Sequence, residues 1–410
     1  MASFGKNVLL FGTFDVANYG DLLFPLLAQR RLGTTGVTVV PVSPTSGDAG
    51  YSDAARPISC VDVADQNGVP VDGILIGGGN IIHARKSGLY EEFGVAPTAY
   101  SSLWLGATMF ACANKIPVAW NAPGVPHKIP ASMRLLARAC FDAADYISVR
   151  DEKSQLNLRA KSHLEVAVVP DTALEISRLW PLRELAAARP EALRSLERYI
   201  AVHVKRRSAE DFAQLAKGLD ELSVATERPI VLLALGRCHG DDVAAQELGA
   251  LMQRPNVVLD NLASLQETTA AIALADIYVS TSLHGYISSY SYGRPGILVT
   301  RPELPKFDAF ATHVGRTEDL VRDWPMALDL AHKRLQRMPE RQGTIPQALM
   351  GRLDEHWAAI ERALQERNAM PRQGDFLRTA IKVGMRQGWH TMLQSLRVNA
   401  TRSTTDPDGR

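Results

Sequence analysis

Residues 279–300 read VSTSLHGYISSYSYGRPGILVT: an apolar run, small hydroxylic residues, then His284 directly before Gly285. An imidazole titrates near neutral pH and can give or take a proton there. If IYVS is a strand and the next residues open a helix, His284 stands at a helix N-terminus, where the macrodipole favours anions over imidazolium. A histidine bonded only to a backbone carbonyl would fit the same place. Two more stretches could touch a ligand. GTFDVANYGD (12–21) holds Asn18, Gly20 and Asp21; IGGGNIIH (76–83) holds Gly78, Gly79 and Asn80. Glycines let backbone approach a ligand closely. Asp21 could equally cap the following helix. Neither stretch is a G-x-G-x-x-G fingerprint or a P-loop.

The elements that must position these residues alternate. NVLLFG, TVVPV, DGILIGG, IPVAWNAPG and EVAVVPD read as short buried strands separated by helical patterns. One such helix spans about 97–114 and another 131–144. The alternation implies parallel sheets covered on both faces. It pauses over 179–198, a polar helical connector with two prolines, and restarts with YIAVHV, PIVLLAL, NVVLD, IYVS and GILVT. The expected fold class is therefore α/β with two Rossmann-like domains, 1–178 and 199–345. A helical segment over 346–402 and a tail over 403–410, expected to be disordered, follow. The two glycine-bearing loops and His284 all fall after strands, at the carboxyl edge where open α/β sheets bind ligands.

Composition narrows the class. With 410 residues, 46% apolar, 22% charged and a net charge of +1, the chain reads as a globular protein without a broad nucleic-acid-binding surface. No run approaches a membrane span, and MASFGKNVLLFG lacks the pattern of a signal peptide. Cys60, Cys112, Cys140 and Cys238 are far apart, as expected of reduced thiols in a cytoplasmic protein. His83, His127, His203, His239, His284 and His313 show no paired ligand spacing, so no metal is expected. The His239, Asp241, Asp242 stretch reads as a solvent-exposed polar loop.

In chain order, FGTFDVANYGDLLFPLL, DGILIGGGNII, ISVRDEKSQLNL, VVPDTAL and VSTSLHGYISSYSYGRPGILV resemble the polysaccharide pyruvyl transferase family, covering residues 8–300. The resemblance implies a GT-B-like fold with a cleft between the domains. It implies transfer of an enolpyruvyl-derived unit from phosphoenolpyruvate to sugar hydroxyls, leaving a pyruvate ketal, with no further cofactor. The acceptor would be a nucleotide sugar, a lipid-linked oligosaccharide or a polysaccharide of a bacterial surface. His284 and Asp171 become the candidate acid and base, although Asp171 could cap the helix after VVP. Arg150, Ser282, Leu283, Gly285, Arg294, Lys306 and Lys205 become candidate donor contacts, with Arg206 and Arg207 beside Lys205. Arg150 could instead sit in a salt bridge. Asn18, Gly20, Asp21, Gly78, Gly79 and Asn80 would face the acceptor from the N-terminal domain. One departure stands out: the family often carries arginine two residues before the histidine, and here that residue is Ser282. That leaves two further readings: a GT-B glycosyltransferase using a nucleotide sugar, or a degenerate glycan-binding member.

Residues 375–397 carry a stripe of Leu377, Ile381, Met385, Trp389, Met392 and Leu396, with Arg378, Lys382 and Arg386 alongside. A helix lying on the inner face of an anionic membrane would have this pattern, and so would a helix docked on the protein.

Overall fold

The computed structural model describes residues 6–65, 70–158, 165–337 and 345–388; the 403–410 tail and Trp389, Met392 and Leu396 lie outside them. Buried β-branched runs form strands β1 (Lys6–Phe11), β2 (Val37–Ser43), β3 (Ile58–Ser59), β4 (Gly73–Gly77) and β5 (Val118–Asn121). They make one parallel sheet in the order β3-β2-β1-β4-β5, with Leu9 beside Ile74 and Ile74 beside Val118. The pair β6 (Ser148–Val149) and β7 (Ala167–Val168) follows. A second parallel sheet comprises β8 (Ile200–His203), β9 (Ile230–Leu233), β10 (Asn256–Leu259), β11 (Ile277–Ser280), β12 (Gly296–Val299) and β13 (Leu320–Val321), in the order β10-β9-β8-β11-β12-β13. Both sheets are α/β and doubly wound. Their strand order reverses between β1 and β4 in the first and between β8 and β11 in the second. These switch points are where a crevice opens at the strands' carboxyl ends.

The helices that matter below are α1 (Tyr19–Leu32), α2 (Ala107–Asn114), α3 (Arg134–Asp142), α4 (Asp241–Leu251), α5 (Leu265–Ala273), α6 (Leu283–Ser291), α7 (Pro305–His313), α8 (Gln347–Glu366) and α9 (Met370–Gln387). The helix expected over 97–114 is interrupted by a π-turn at Ser102–Gly106, whose wider winding turns the consecutive Leu103, Trp104 and Leu105 all inward. The connector is not free-standing: Leu182 and Leu185 pack on Ala270 and Ala273 of α5.

The two halves share a core. One continuous apolar cluster runs from Val8 and Tyr19 through Leu235 and Tyr286 to Trp357. Chain 16–20 crosses the junction: Asn18 pairs with Gly236 in an antiparallel bridge, and the Tyr19 N–H donates to the Leu235 carbonyl at 2.8 Å. The buried Tyr19 hydroxyl meets Thr269 Oγ1 at 2.9 Å and Ser288 Oγ at 2.8 Å. Asp53 caps α5 from the other half, accepting from the Leu265 and Gln266 N–H groups.

The helix α8 returns to the first sheet and lies against β5. Its buried His356 bridges Tyr146 and Asn121 at 2.9 and 3.0 Å. Burial, with Arg31 nearby, pushes the His356 imidazole down to about 3. Burial, then His127 and Arg85, does the same to His83, also to about 3. Both stay neutral when folded, whereas unfolded histidines take protons below about pH 6.5. Stability is therefore intact above that value and falls as pH drops below it, by up to about 1.4 kcal/mol per pH unit per histidine. His356→Gln, whose amide can still reach both partners, should flatten this slope. Urea unfolding at about pH 5 and about pH 7 would measure it.

Candidate active site at the junction of the two sheets

The site grows from glycines. Gly78 and Gly79 follow β4 with φ of 84° and 67°, conformations that favour glycine. A Cβ on Gly78 would meet the Phe24 ring at 2.2 Å, and one on Gly79 would meet Asp21 Oδ1 at 2.8 Å. The glycine run thus makes room for the first turns of α1 rather than only for a ligand. Asp21 does not cap the helix either: its carboxylate accepts from Thr13 Oγ1 at 3.0 Å and Asn18 Nδ2 at 2.8 Å.

Gly20 faces the other half. A Cβ there would lie 1.7 Å from His284 Nδ1. The imidazole therefore rests against the Gly20 backbone, with the Phe24 ring edge-on to it at 5.6 Å between centroids. On its own side, His284 sits in the first turn of α6, which Ser282 caps by accepting from the Gly285 N–H. Ser282 is an N-cap here and supplies no charge. Leu283 is buried in the shared core, and a Cβ on Gly285 would strike the Tyr278 hydroxyl at 2.0 Å. Both therefore answer to packing rather than to a donor.

Asp171 meets His284 from the first half, Oδ2 to Nε2 at 3.5 Å, and Arg150 Nη1 at 3.7 Å. It also accepts from the Ala173 N–H, so it caps the short helix as well. Burial pushes the Asp171 carboxyl up, but His284, Arg150 and the Ala173 N–H outweigh that and hold it below its ordinary value of 3.8. Arg150 is 5% exposed at its side chain and lies between Asp171 and Asp151, Nε to Asp151 Oδ2 at 3.5 Å. It also donates to Asn80 Oδ1, and Gly124, without a Cβ, leaves both groups their space. The salt-bridge alternative for Arg150 is thus realised. Yet Arg150 Nε, Asp171 Oδ2 and His284 Nε2 are all buried without an aligned hydrogen-bond partner. Three adjoining polar atoms in that condition mark a place built to receive polar groups.

Among the other expected contacts, one stands apart. Arg294 follows the far end of α6 and donates through Nε to the Ala273 carbonyl, a helix length from His284. It cannot replace the missing arginine. Lys306 lies in the first turn of α7, its Nζ 5.8 Å from the Phe307 ring centroid. Lys205 precedes a tight turn after β8, its carbonyl accepting from Ser208. Among the described residues no group of three His, Cys, Asp or Glu side chains could hold a metal ion.

A second cluster went unread in the sequence. Asp241 is not solvent-exposed: it is buried, with Oδ2 2.8 Å from Nε2 of the fully buried His203. A carboxylate can only accept there, so His203 Nε2 donates to it, while Nδ1 meets the Thr281 hydroxyl at 3.3 Å. Burial pushes the Asp241 carboxyl up; His203, Lys205 and His239 reverse this and hold it below its ordinary value. The signal was present: Gly-Asp-Asp opening a helix just past an apolar strand points at the carboxyl edge of the sheet. Thr281 lies in the short turn between β11 and α6, three residues before His284, so His203 and Asp241 hold the strand end that leads into His284.

Two substitutions test this geometry. Gly20→Ala should displace His284 and destabilise the chain by about 1–3 kcal/mol, read by thermal and urea unfolding. Asp171→Asn should lower stability at about pH 7 by about 2–4 kcal/mol. The depressed native value means Asp171 stabilises the fold above the ordinary 3.8 and loses this as pH falls through the native value. The gap between variant and wild type should therefore close only in strong acid.

A family model described as polysaccharide pyruvyl transferase matches residues 18–302. No curated protein matches the chain. Among solved structures, UDP-GlcNAc 2-epimerase from Neisseria meningitidis bound to UDP-GlcNAc is similar with a TM-score of 0.51 and 12% identity, covering 92% of this chain and 100% of that one. The S. aureus MnaA–UDP co-structure is similar with a TM-score of 0.50 and 11% identity, covering 84% and 92%. At such identities the likeness is one of fold: two Rossmann-like units in a GT-B-like arrangement.

Proposed function

This chain belongs to the polysaccharide pyruvyl transferase family, and from that premise we propose that it moves an enolpyruvyl-derived unit from phosphoenolpyruvate onto two hydroxyls of a bacterial surface glycan or its precursor, leaving a pyruvate ketal. The observation that carries this reading is the meeting of Arg150 and Asp171, which follow β6 and β7, with His284, which follows β11, each with a buried polar atom lacking an aligned partner.

In this reading His284 gives a proton to C3 of phosphoenolpyruvate, which makes C2 electrophilic. The ionised Asp171 balances the imidazolium before that transfer. A sugar hydroxyl forms a C–O bond at C2 and its proton returns to His284. The C2–O bond to phosphate breaks, and the electron pair leaves with phosphate. The second hydroxyl closes the ketal at C2, and its proton leaves with phosphate. Arg150 holds the donor carboxylate or phosphate, with Lys205 as a second cation. Asn18, Asp21 and Asn80 lie along the acceptor side.

A second reading rests on Ser282, which caps α6 where an arginine was expected, and on the two carboxylates that already face Arg150. A site rich in acceptors suits a donor rich in hydroxyls, such as a nucleotide sugar; two proteins of like fold are solved with UDP or UDP-GlcNAc.

Calorimetric titration separates the two. Phosphoenolpyruvate should bind saturably, and Arg150→Ala should weaken it about tenfold or more in a variant whose melting curve reports a folded chain. His284→Ala should keep the binding and lower phosphate release with a glycan acceptor by about 10²–10⁴-fold. Binding of UDP without phosphoenolpyruvate would replace the first reading by the second.

A further inference from the structure

The helix α9 has two apolar faces, and the fold uses one. Phe376, Ala380 and Val383 are buried against the first half, where α9 packs on α2 and α3. Polar contacts hold that side as well: Gln373 donates to the Ile116 carbonyl at 2.8 Å, Arg372 to the Asp142 carbonyl at 2.6 Å, and the Ala369 N–H to Asp145 at 2.7 Å. The sequence stripe was expected to be either this docked face or a membrane face. The helix does dock on the protein, and Leu377 of the stripe packs partly on its core, while the described residues of the stripe after it turn outward. Ile381 is 51% exposed, Met385 76% and Met370 42%. At 3.6 residues per turn these three follow one line along the outside of the helix. The next row, at four-residue spacing, is Arg378, Lys382 and Arg386, all exposed. The acid among them, Asp375, pairs with Arg378. The whole chain carries a net charge of only +1, so this positive row is a local feature.

We propose that the outer face of α9 docks on the surface of an anionic lipid bilayer. Methionine and isoleucine enter the headgroup boundary, and the basic row meets lipid phosphates. Charge argues against a second copy as the occupant, because a two-fold contact would set one basic row against the other. Among the described residues no helix is long and apolar enough to cross a membrane, so the contact is peripheral. The face lies outside the site described above, and the inference does not depend on which donor that site takes.

The test is co-sedimentation of the full chain with vesicles of phosphatidylcholine, with and without phosphatidylglycerol. The protein should pellet with the anionic vesicles at low salt and be released at high salt. Lys382→Glu with Arg386→Glu should weaken binding by about tenfold or more, and Met385→Asp should also weaken it, with melting curves unchanged. Failure to pellet with phosphatidylglycerol vesicles, or equal binding by the charge-reversed variant, overturns the proposal. So does a concentration-dependent dimer in sedimentation velocity that Met385→Asp abolishes, since that gives the face to a second copy. Donor binding by calorimetry is unaffected by any of these outcomes.

Discussion

His284 lies against the bare backbone of Gly20, and the surrounding arrangement follows from that contact. For an imidazole from one sheet to sit on the backbone of another, chain 16–20 must cross between the halves. It does so by pairing with 235–236. The residues that start α1 must then lie close to the end of β4, which only a run without side chains allows; Gly78 and Gly79 supply it. Phe24, one turn on from Gly20, fills the space between the glycine run and the imidazole. Removing any one of these small residues would displace the others, because the parts share volume rather than merely neighbouring one another.

Electrostatics sets a second limit. Buried carboxylates outnumber cations around His284: Asp151 and Asp171 share Arg150, and Asp241 holds His203 nearby. Asp171 and Asp241 are both held below their ordinary values against the pull of burial, so both remain charged across the physiological range. The loop that ends β11 is thus gripped twice, by Thr281 on His203 and by His284 on Asp171, from opposite halves of the chain. A side chain gripped at both ends of a short loop loses little further entropy when a ligand arrives.

Much of this was legible in the sequence. The alternation of short apolar runs with helical patterns gave both parallel sheets, and the positions of the glycine-bearing loops and of His284 at strand ends put them at the carboxyl edges. What was not legible depends on partners distant in sequence. Asp241 looks solvated beside His239 and Asp242; only the approach of His203, 38 residues earlier, makes it buried and ionised. For Arg150 the sequence leaves a clamp and a salt bridge both open, and only the approach of Asp171, beside Gly124, brings the salt bridge about. Arg294 is ten residues from His284 in sequence, but the helix between them carries it to the opposite edge of the sheet. In α9 a seven-residue pattern does not say which of two faces meets the protein; the docking of Phe376 decides.

The antiparallel bridge of Asn18 with Gly236, inside a core common to both sheets, also bears on how such a chain can diverge. Enzymes built from two nucleotide-fold halves can exchange one half by recombination when the halves meet through a thin, polar hinge. Here the second half completes the imidazole's seat only together with the first turn of α1 from the first half. A grafted half would have to bring a matching glycine, a matching tyrosine and a matching backbone edge all at once. Variation is accordingly best tolerated in loops that ride above the junction, while the junction itself can change only as one piece.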